Sequence, residues 1–309
     1  MTTLAPARSF LRVSDLQPGE LATLLDLAAA MRKDPLAFRG GLEGTTLACY
    51  FTKPSTRTRV SFEAAAWRLG MLPLMLRPDE LQLGRGEPLE DTARVLSSYA
   101  AALAVRTFAQ ADVDALAAAA SVPVINALTD DHHPCQALAD LLTLRDRFGA
   151  LDGLRVAYLG DGNNVAHSLI EASALAGIEL AVATPTGFEP DARVVDAAAF
   201  GFTHLTHDPR EAVRGAHAVY TDVWVSMGDD AERAQRLAAL AGFQVGAALM
   251  AEAADDAIFL HCLPAHRGEE VTAEVIDGPA SAVWEQAANR LPTEQAVVRA
   301  LVTGRWEAS

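Results

Sequence analysis

Short apolar runs alternate with longer stretches of helical period along most of this chain. The runs TTLACYF (45–51), MLPLML (71–76), AALAVRT (101–107), VPVIN (122–126), RVAYLG (155–160), IELAVAT (178–184), HAVYTDV (217–223) and AIFLHCL (257–263) predict strands. EDTARVLSSYA, CQALADLLTLRDRFG and NVAHSLIEASALAG lie between them with the spacing of amphipathic helices, several of which end at a glycine. Strand and helix in alternation imply α/β architecture, in which parallel sheets are joined by helical crossovers. Four predicted strands precede the helix at 135–148 and four follow it, so the division into two domains falls near Phe148 to Gly153, where FGALDG reads as a turn. The final segment, NRLPTEQAVVRALVTGRWEAS, predicts another helix with Pro292 near its start. There is no internal repeat, and no low-complexity tract beyond alanine-rich helix surfaces.

Composition narrows the class. The 309 residues suffice for two cores at roughly 150 residues per domain. Half are hydrophobic and 21% charged, an ordinary globular balance. The net charge of -15 and a pI near 4.9 argue against broad nucleic-acid or anionic-membrane binding, which would need an extended basic face. The opening MTTLAPARSFLRVSDLQ has no apolar h-region, and no run of about 18 apolar residues occurs, so neither a signal peptide nor a membrane span is expected and the location expected is cytoplasmic. Cys49, Cys135 and Cys262 are odd in number and widely spaced, which fits free thiols in a reducing compartment.

In α/β sheets ligands collect at the carboxyl ends of strands, and the unusual residues fall there. FTKPSTRTRVSF (51–62) places Lys53, Arg57 and Arg59 among Ser55, Thr56 and Thr58 directly after a strand. Ser55 is a candidate N-cap, and Phe62, Ala66 and Leu69 give the following helix an apolar face. Helix-start N–H groups, hydroxyls and the cations Lys53 and Arg57 suit a dianionic phosphate. The competing reading is a capped helix with solvated charges, although a cap uses one hydroxyl rather than three.

Arg106 ends another strand and, taken alone, reads as a surface ion-pair residue. The next strand, however, runs into NALTDDHHPCQALADLL, where His133 can donate to a carbonyl oxygen and Gln136 can fix an amide. A metal reading of His132, His133 and Cys135 with Asp130 or Asp131 is poorly spaced for zinc. GDGNNVAHS (160–168) matches a dinucleotide fingerprint only in part: Val165 takes the third glycine position, and the strand at 178–184 ends in ATPT without a carboxylate for a ribose. Asn163 and Asn164 can instead hydrogen-bond an amino acid, or simply form a turn. In DVWVSMGDD, Asp222 stands four residues before Ser226 and Met227, a loop suited to a cationic amine and a flexible chain. Leu263 precedes Pro264 in a turn that leaves its carbonyl available, while Cys262 by itself reads as a buried structural cysteine. No cysteine-protease signature accompanies it.

STRTR (55–59), HPCQ (133–136) and HCLP (261–264) together resemble the aspartate/ornithine carbamoyltransferase superfamily, in order from Phe51 to Arg290. LQLGRGEPLEDTARVL (81–96), GDGNNVAHS, DVWVSMG (222–228) and HCLPAHRGEEVT (261–272) are similar to its ornithine carbamoyltransferase branch. The aspartate branch typically reads HPLPR in place of HCLP and lacks the SMG loop.

The resemblance implies two domains, each a parallel sheet flanked by helices, with the C-terminal helix packing back on the N-terminal domain. Residues 1–148 with 288–309 would bind carbamoyl phosphate and residues 149–287 ornithine. Ser55, Thr56, Arg57 and Thr58 would cradle the phosphate. Arg106, His133, Gln136, Cys262, Leu263 and Arg290 would hold the carbamoyl group, and Gln82 would reach a neighbouring subunit's site, which implies a homotrimer or a multiple of trimers. Asn164, Asp222, Ser226 and Met227 match ornithine-binding positions. Arg106, His133 and Cys262 are the catalytic candidates; no metal or organic cofactor is implied. One departure is NRLPTEQ where the family often reads NRLHAQK, from which a shifted helix start is expected at Pro292. The alternatives are a carbamoyltransferase for putrescine or acetylornithine, a catalytically silent relative, which should have lost Arg57, His133 or Cys262, and a nicotinamide-dependent dehydrogenase.

Overall fold

The computed structural model describes residues 7–80, 86–198, 203–225 and 232–307. The chain divides into two compact units, Met1–Leu142 with Asn289–Ser309, and Thr143–Ala288. In chain order the first unit holds α1 (Pro18–Lys33), β1 (Thr46–Phe51), α2 (Arg57–Arg68), β2 (Leu72–Leu76), α3 (Leu89–Ser97), β3 (Ala102–Arg106), α4 (Gln110–Ala119), β4 (Val124–Leu128) and the start of α5 (Pro134–Phe148). Its sheet is parallel throughout, in the order β2-β1-β3-β4. Every residue of β3 is buried, the mark of a parallel strand covered on both faces. The pattern reading assigns no element before residue 45, yet α1 buries Leu21, Leu24, Leu25, Ala28 and Met31 on one helical face.

The second unit continues with β5 (Arg155–Leu159), α6 (Asn164–Ala176), β6 (Glu179–Ala183), α7 (Ala192–Ala197), β7 (Thr203–Thr206), α8 (Pro209–Val213), β8 (Ala218–Thr221), α9 (Arg233–Leu240), α10 (Ala247–Met250), β9 (Ile258–Leu260), α11 (Ala273–Ile276) and the start of α12 (Val283–Thr303). Five parallel strands are ordered β7-β6-β5-β8-β9, one strand more than the apolar runs predict. The extra strand, β7, reads THLT and lies at an edge with partly exposed side chains, so it carries no continuous apolar signal. Among the described residues no helix is long and apolar enough to cross a membrane.

Strand order locates the notches. In the first sheet the chain moves one way from β1 to β2 and the other way to β3, so the crossovers diverge past the ends of β1 and β3. The same reversal falls between β5 and β8 in the second sheet.

Residues 289–309 belong to the first unit, and the C-terminal helix packs there as expected. Gln295 Nε2 donates to the Pro35 carbonyl at 3.0 Å, Arg32 Nη1 donates to Asn289 Oδ1 at 2.7 Å, and the Arg299 guanidinium lies over Phe38 at 5.2 Å. The helix does not start at Pro292. It starts at Val283, and Pro292 sits in its interior. A proline there removes one helical N–H and costs about 3 kcal/mol in an isolated helix. Burial of Ala296, Val297, Val298 and Ala300 offsets this, and the Thr293 hydroxyl donates to the Asn289 and Arg290 carbonyls beside the break.

The glycines of GDGNN have packing roles. Gly160 has φ +125, a region that favours glycine, and a Cβ there would lie 3.3 Å from Trp224 Nε1. Gly162 N–H donates to the Phe188 carbonyl at 2.8 Å, and a Cβ on it would lie 2.6 Å from that oxygen and closer still to Pro190 N. The backbone at 188–190 thus occupies the space a fingerprint glycine would leave for a pyrophosphate. Replacing Gly162 with Ala is expected to destabilise the protein by roughly 3 kcal/mol through overpacking, read as a lower urea midpoint. An unchanged midpoint would show that residues 188–190 move aside without cost.

Candidate active site

In the first unit the phosphate-type segment leaves β1 at the notch. Ser55 Oγ accepts the Thr58 N–H at 3.3 Å, so Ser55 performs the capping although the regular helix begins at Arg57 and Thr56 is already helical, with φ -80 and ψ -54. Lys53 and Arg59 have carboxylate partners. Lys53 pairs with Asp130 and lies over the Phe108 ring at 4.3 Å, and Arg59 Nε donates to Glu63 Oε1 at 3.0 Å. The charge of Lys53 is thus met by Asp130 in this structure. Arg57 is the first residue of α2, and Thr58, one turn face inward, is buried.

Arg106 is buried at 7% exposure and is not the surface ion-pair residue that a lone strand-end arginine suggests. It pairs in register with Phe51, and its carbonyl accepts both the N–H and the hydroxyl of Thr52, at 2.9 and 3.2 Å. These bonds tie the exit of β1 to the end of β3. From β4 the chain turns tightly, with Thr129 N–H donating to the His132 carbonyl at 2.8 Å, and enters α5 at Pro134. His133 and Gln136 are both buried at that entry.

Burial, reinforced by the positive charges of Arg290 and Arg106, holds the His133 imidazole well below its ordinary pKa. At neutral pH it is an uncharged ring that donates one N–H. Gln136 Nε2 donates to Asp140 Oδ1 at 2.8 Å, while its carbonyl Oε1 is buried with no hydrogen-bond partner among the described residues. An unmet buried acceptor costs about 1–3 kcal/mol, which an N–H donor from a ligand would recover. Cys135 is spent elsewhere: its thiol donates to the Asn126 carbonyl at 3.4 Å, and burial pushes its pKa up.

Arg290 reaches the same notch from α12. Its Nη2 donates to Thr58 Oγ1 at 2.8 Å and to Glu294 Oε1 at 2.9 Å, and all three residues are buried. Glu294 is a site residue that the sequence reading misses, though its i,i+4 spacing from Arg290 on a predicted helix is the signal that could find it. Burial raises its carboxyl to about 6, against the opposing pull of Arg290 and of a hydrogen bond from Ser61.

The second unit carries a separate polar network past β5, β8 and β9. Asn163 Oδ1 caps α6 by accepting from Val165 N–H at 2.9 Å and Ala166 N–H at 3.3 Å, and Asn164 is the first residue of that helix. The same amide extends outward: Asn163 Nδ2 donates to Asp222 Oδ2 at 2.9 Å, and Asn163 Oδ1 also accepts the Tyr158 hydroxyl at 3.2 Å. The other oxygen of Asp222 accepts the Cys262 thiol at 2.8 Å. Leu263 has φ +61 and a cis peptide bond to Pro264. Ligand atoms of Asp222, His261 and Cys262 lie within 4.8 Å of one another, and each of these side chains also takes part in a protein hydrogen bond. Gln82, Ser226 and Met227 lie outside the described residues.

Residues 8–146 match the family model described as the carbamoyl-P binding domain of aspartate/ornithine carbamoyltransferase, and residues 152–301 match the Asp/Orn binding domain, so the chain belongs to the aspartate/ornithine carbamoyltransferase family. Within it, the chain is 54% identical over 301 residues to the ornithine carbamoyltransferase of Acidothermus cellulolyticus, covering 96% of each chain. It is 49% identical over 290 residues to the catabolic ornithine carbamoyltransferase of Halobacterium salinarum, covering 94% of this chain and 97% of the relative. The solved ornithine carbamoyltransferase from Pyrococcus furiosus superimposes with a TM-score of 0.91 at 48% identity, over 98% of this chain and 99% of that one.

Glu294 makes a pH-dependent contribution of defined sign. Its folded pKa of about 6 exceeds the ordinary 4.5, so the stability it gives is complete below about 4.5 and is lost as pH rises through about 6. Glu294→Gln is expected to abolish that fall, worth about 2 kcal/mol, when urea midpoints at the two ends of the window are compared with wild type. Parallel pH slopes for the two proteins would count against it.

Proposed function

We propose that the protein is an ornithine carbamoyltransferase, transferring the carbamoyl group of carbamoyl phosphate to the side-chain amine of L-ornithine and releasing L-citrulline and phosphate. The observation that carries the carbamoyl phosphate half is the burial of Arg106, neutral His133 and the unmet Gln136 carbonyl at the exit notch of the first sheet, in the same unit as Ser55 to Thr58. The choice of ornithine is supported by full-length relatives of that name and by Asp222 with Cys262 in the second unit.

In this reading Ser55, Thr56, Arg57 and Thr58 bind the phosphate, with N–H groups at the start of α2 adding to the charge of Arg57. Arg290, held against Thr58, joins Arg106 and His133 on the carbamoyl group, and Gln136 accepts from its amide. The neutral amine of ornithine attacks the carbonyl carbon, and the new oxyanion is stabilised by Arg106 and by the N–H of His133. Collapse of this intermediate breaks the bond to the phosphate oxygen, and the amine's proton leaves with phosphate or solvent. Asp222 and Cys262 orient the amine without forming a covalent bond, Leu263 offers its carbonyl to the carbamoyl amide, and Asn164, Ser226 and Met227 bind ornithine. Alignment of the two substrates supplies much of the acceleration. Residues 1–148 with 288–309 form the carbamoyl phosphate domain and 149–287 the ornithine domain. Arginine biosynthesis and a cytoplasmic location belong to the same proposal.

A homotrimer, to which Gln82 contributes across subunits, belongs to the same proposal. It is supported by apolar side chains left exposed in the first unit: Val60 and Trp67 on α2, and Leu72 and Leu74 on the edge strand β2. Light scattering of the purified protein is expected to give three times the 32.7 kDa chain mass or a multiple of that; a monodisperse monomer would remove the shared-site proposal.

Carbamoyl phosphate offered separately with ornithine, putrescine, acetylornithine and aspartate is expected to give ureido product with ornithine alone. Arg57→Ala should lower kcat/KM by about a hundred- to a thousandfold. Preference for another amine would leave the phosphate half standing and sink the assignment of Asp222, and no turnover by wild type would favour the silent relative.

A further inference from the structure

The turn after β9 is built around a histidine and a carboxylate to which the proposed chemistry gives no role. The side chains of His261 and Glu270 are both completely shielded, at 0% exposure. Groups of this kind are costly to bury unless their hydrogen bonds are met. Here the bonds are specific, and among the described residues Glu270 Oε2 alone of the two carboxylate oxygens has no hydrogen-bond partner. Leu263 N–H donates to His261 Nδ1 at 2.8 Å, and His261 Nε2 lies 3.2 Å from Glu270 Oε1. The same Oε1 accepts the His266 N–H at 2.5 Å, and Gln286 Oε1 accepts the His261 backbone N–H at 2.9 Å. His266 Nδ1 stands 3.9 Å from Glu270 Oε2.

These partners settle the state of the ring. Nδ1 accepts a backbone N–H, so it carries the lone pair, and the single proton sits on Nε2 facing the carboxylate. An imidazole protonated at Nδ1 would set one N–H against another and lose the bond to Leu263. That bond matters because Leu263 has φ +61, a left-handed conformation that costs a non-glycine residue about 1–2 kcal/mol. The conformation of Leu263 sets where its carbonyl points, and Cys262, one residue earlier, donates its thiol to Asp222.

We propose that Glu270 is a positioning residue for carbamoyl transfer: by fixing the Nε2–H tautomer of His261 it makes Nδ1 the acceptor that holds the Cys262–Leu263 turn in its working orientation. This deepens the function proposed above and rests on the roles given there to Cys262 and Leu263. Glu270 does not touch substrate, so removing it should impair turnover while leaving phosphate recognition by Ser55 to Thr58 intact. Replacement of such an orienting partner typically costs ten- to a hundredfold where the oriented group is essential.

The test uses the full-length protein and two readouts. Nitrogen-15 NMR of the histidine rings reports the tautomer of His261 without reference to activity, and citrulline formation reports kcat. Glu270→Met is expected to abolish the Nε2–H signature and lower kcat about ten- to a hundredfold, with the dissociation constant of inorganic phosphate changed by less than about threefold. Glu270→Gln, which keeps an acceptor oxygen, should restore the tautomer and most of the lost kcat. His261→Asn supplies an acceptor in place of Nδ1, so Glu270→Met added to it should have no further effect on kcat. Should Glu270→Met fail to fold, His261→Leu, which offers no acceptor, must fall well below His261→Asn in kcat. The proposal is overturned by an unchanged kcat or tautomer in Glu270→Met, by equal losses in Glu270→Met and Glu270→Gln, by an undiminished effect of Glu270→Met in the His261→Asn background, or by equal kcat in His261→Leu and His261→Asn. A wild-type protein that makes no citrulline yet shows the Glu270-dependent tautomer would instead remove the functional reading and leave the hydrogen-bond network standing.

Discussion

A parallel sheet covered on both faces has no room for charge within its strands, and this constraint arranges everything else in the molecule. Charged groups therefore gather at strand ends, and all carboxyl ends of a parallel sheet lie on one edge. β3 is buried along its whole length, and its first charged residue, Arg106, is also its last residue. β1 ends at Phe51, in register with Arg106, so the segment carrying Ser55 to Thr58 leaves the sheet beside that arginine. The crossovers diverge at this place and leave a notch past the ends of β1 and β3.

Burial then sets the chemistry of the groups gathered in the first unit. Desolvation penalises charge of either sign. It lowers the pKa of His133 and raises that of Glu294, leaving a neutral donor and a reluctant carboxylate beside two arginines that cannot surrender their protons. An uncharged His133 donates to an oxygen without adding a further cation beside Arg106 and Arg290. Glu294 in turn holds Arg290 in the direction of Thr58, so the guanidinium has a fixed geometry before any anion arrives.

The second unit solves a different problem with the same means. Asn163 uses its carbonyl oxygen to cap α6 and its amide nitrogen to hold Asp222, so the placement of a carboxylate depends on the placement of a helix. The remaining oxygen of that carboxylate takes the Cys262 thiol. The turn carrying Cys262 is held by His261, whose ring is oriented by Glu270. A small set of short-range bonds therefore links β5, β8 and β9 at one edge of their sheet.

Much of this was legible in the sequence. Eight apolar runs located eight of the described strands, most of them continuously apolar because they are buried, and STRTR, HPCQ and HCLP stood out because cations, hydroxyls and a histidine broke those patterns at strand ends. β7 was not legible, since an exposed edge strand such as THLT needs no apolar run. Nor was the course of α12: local rules start a helix at Pro292, whereas the helix begins at Val283 and packing of the residues beyond the proline carries it through. The pairing of Lys53 with Asp130, the burial of Arg106, and the bond of Arg290 to Thr58 join residues far apart in the chain. The sequence by itself determined which residue types stand at which strand ends, because periodicity and composition are local properties. Only the tertiary structure decided which of them are neutralised, which are buried and which face one another, because desolvation and hydrogen bonding depend on neighbours that the order of the chain does not name.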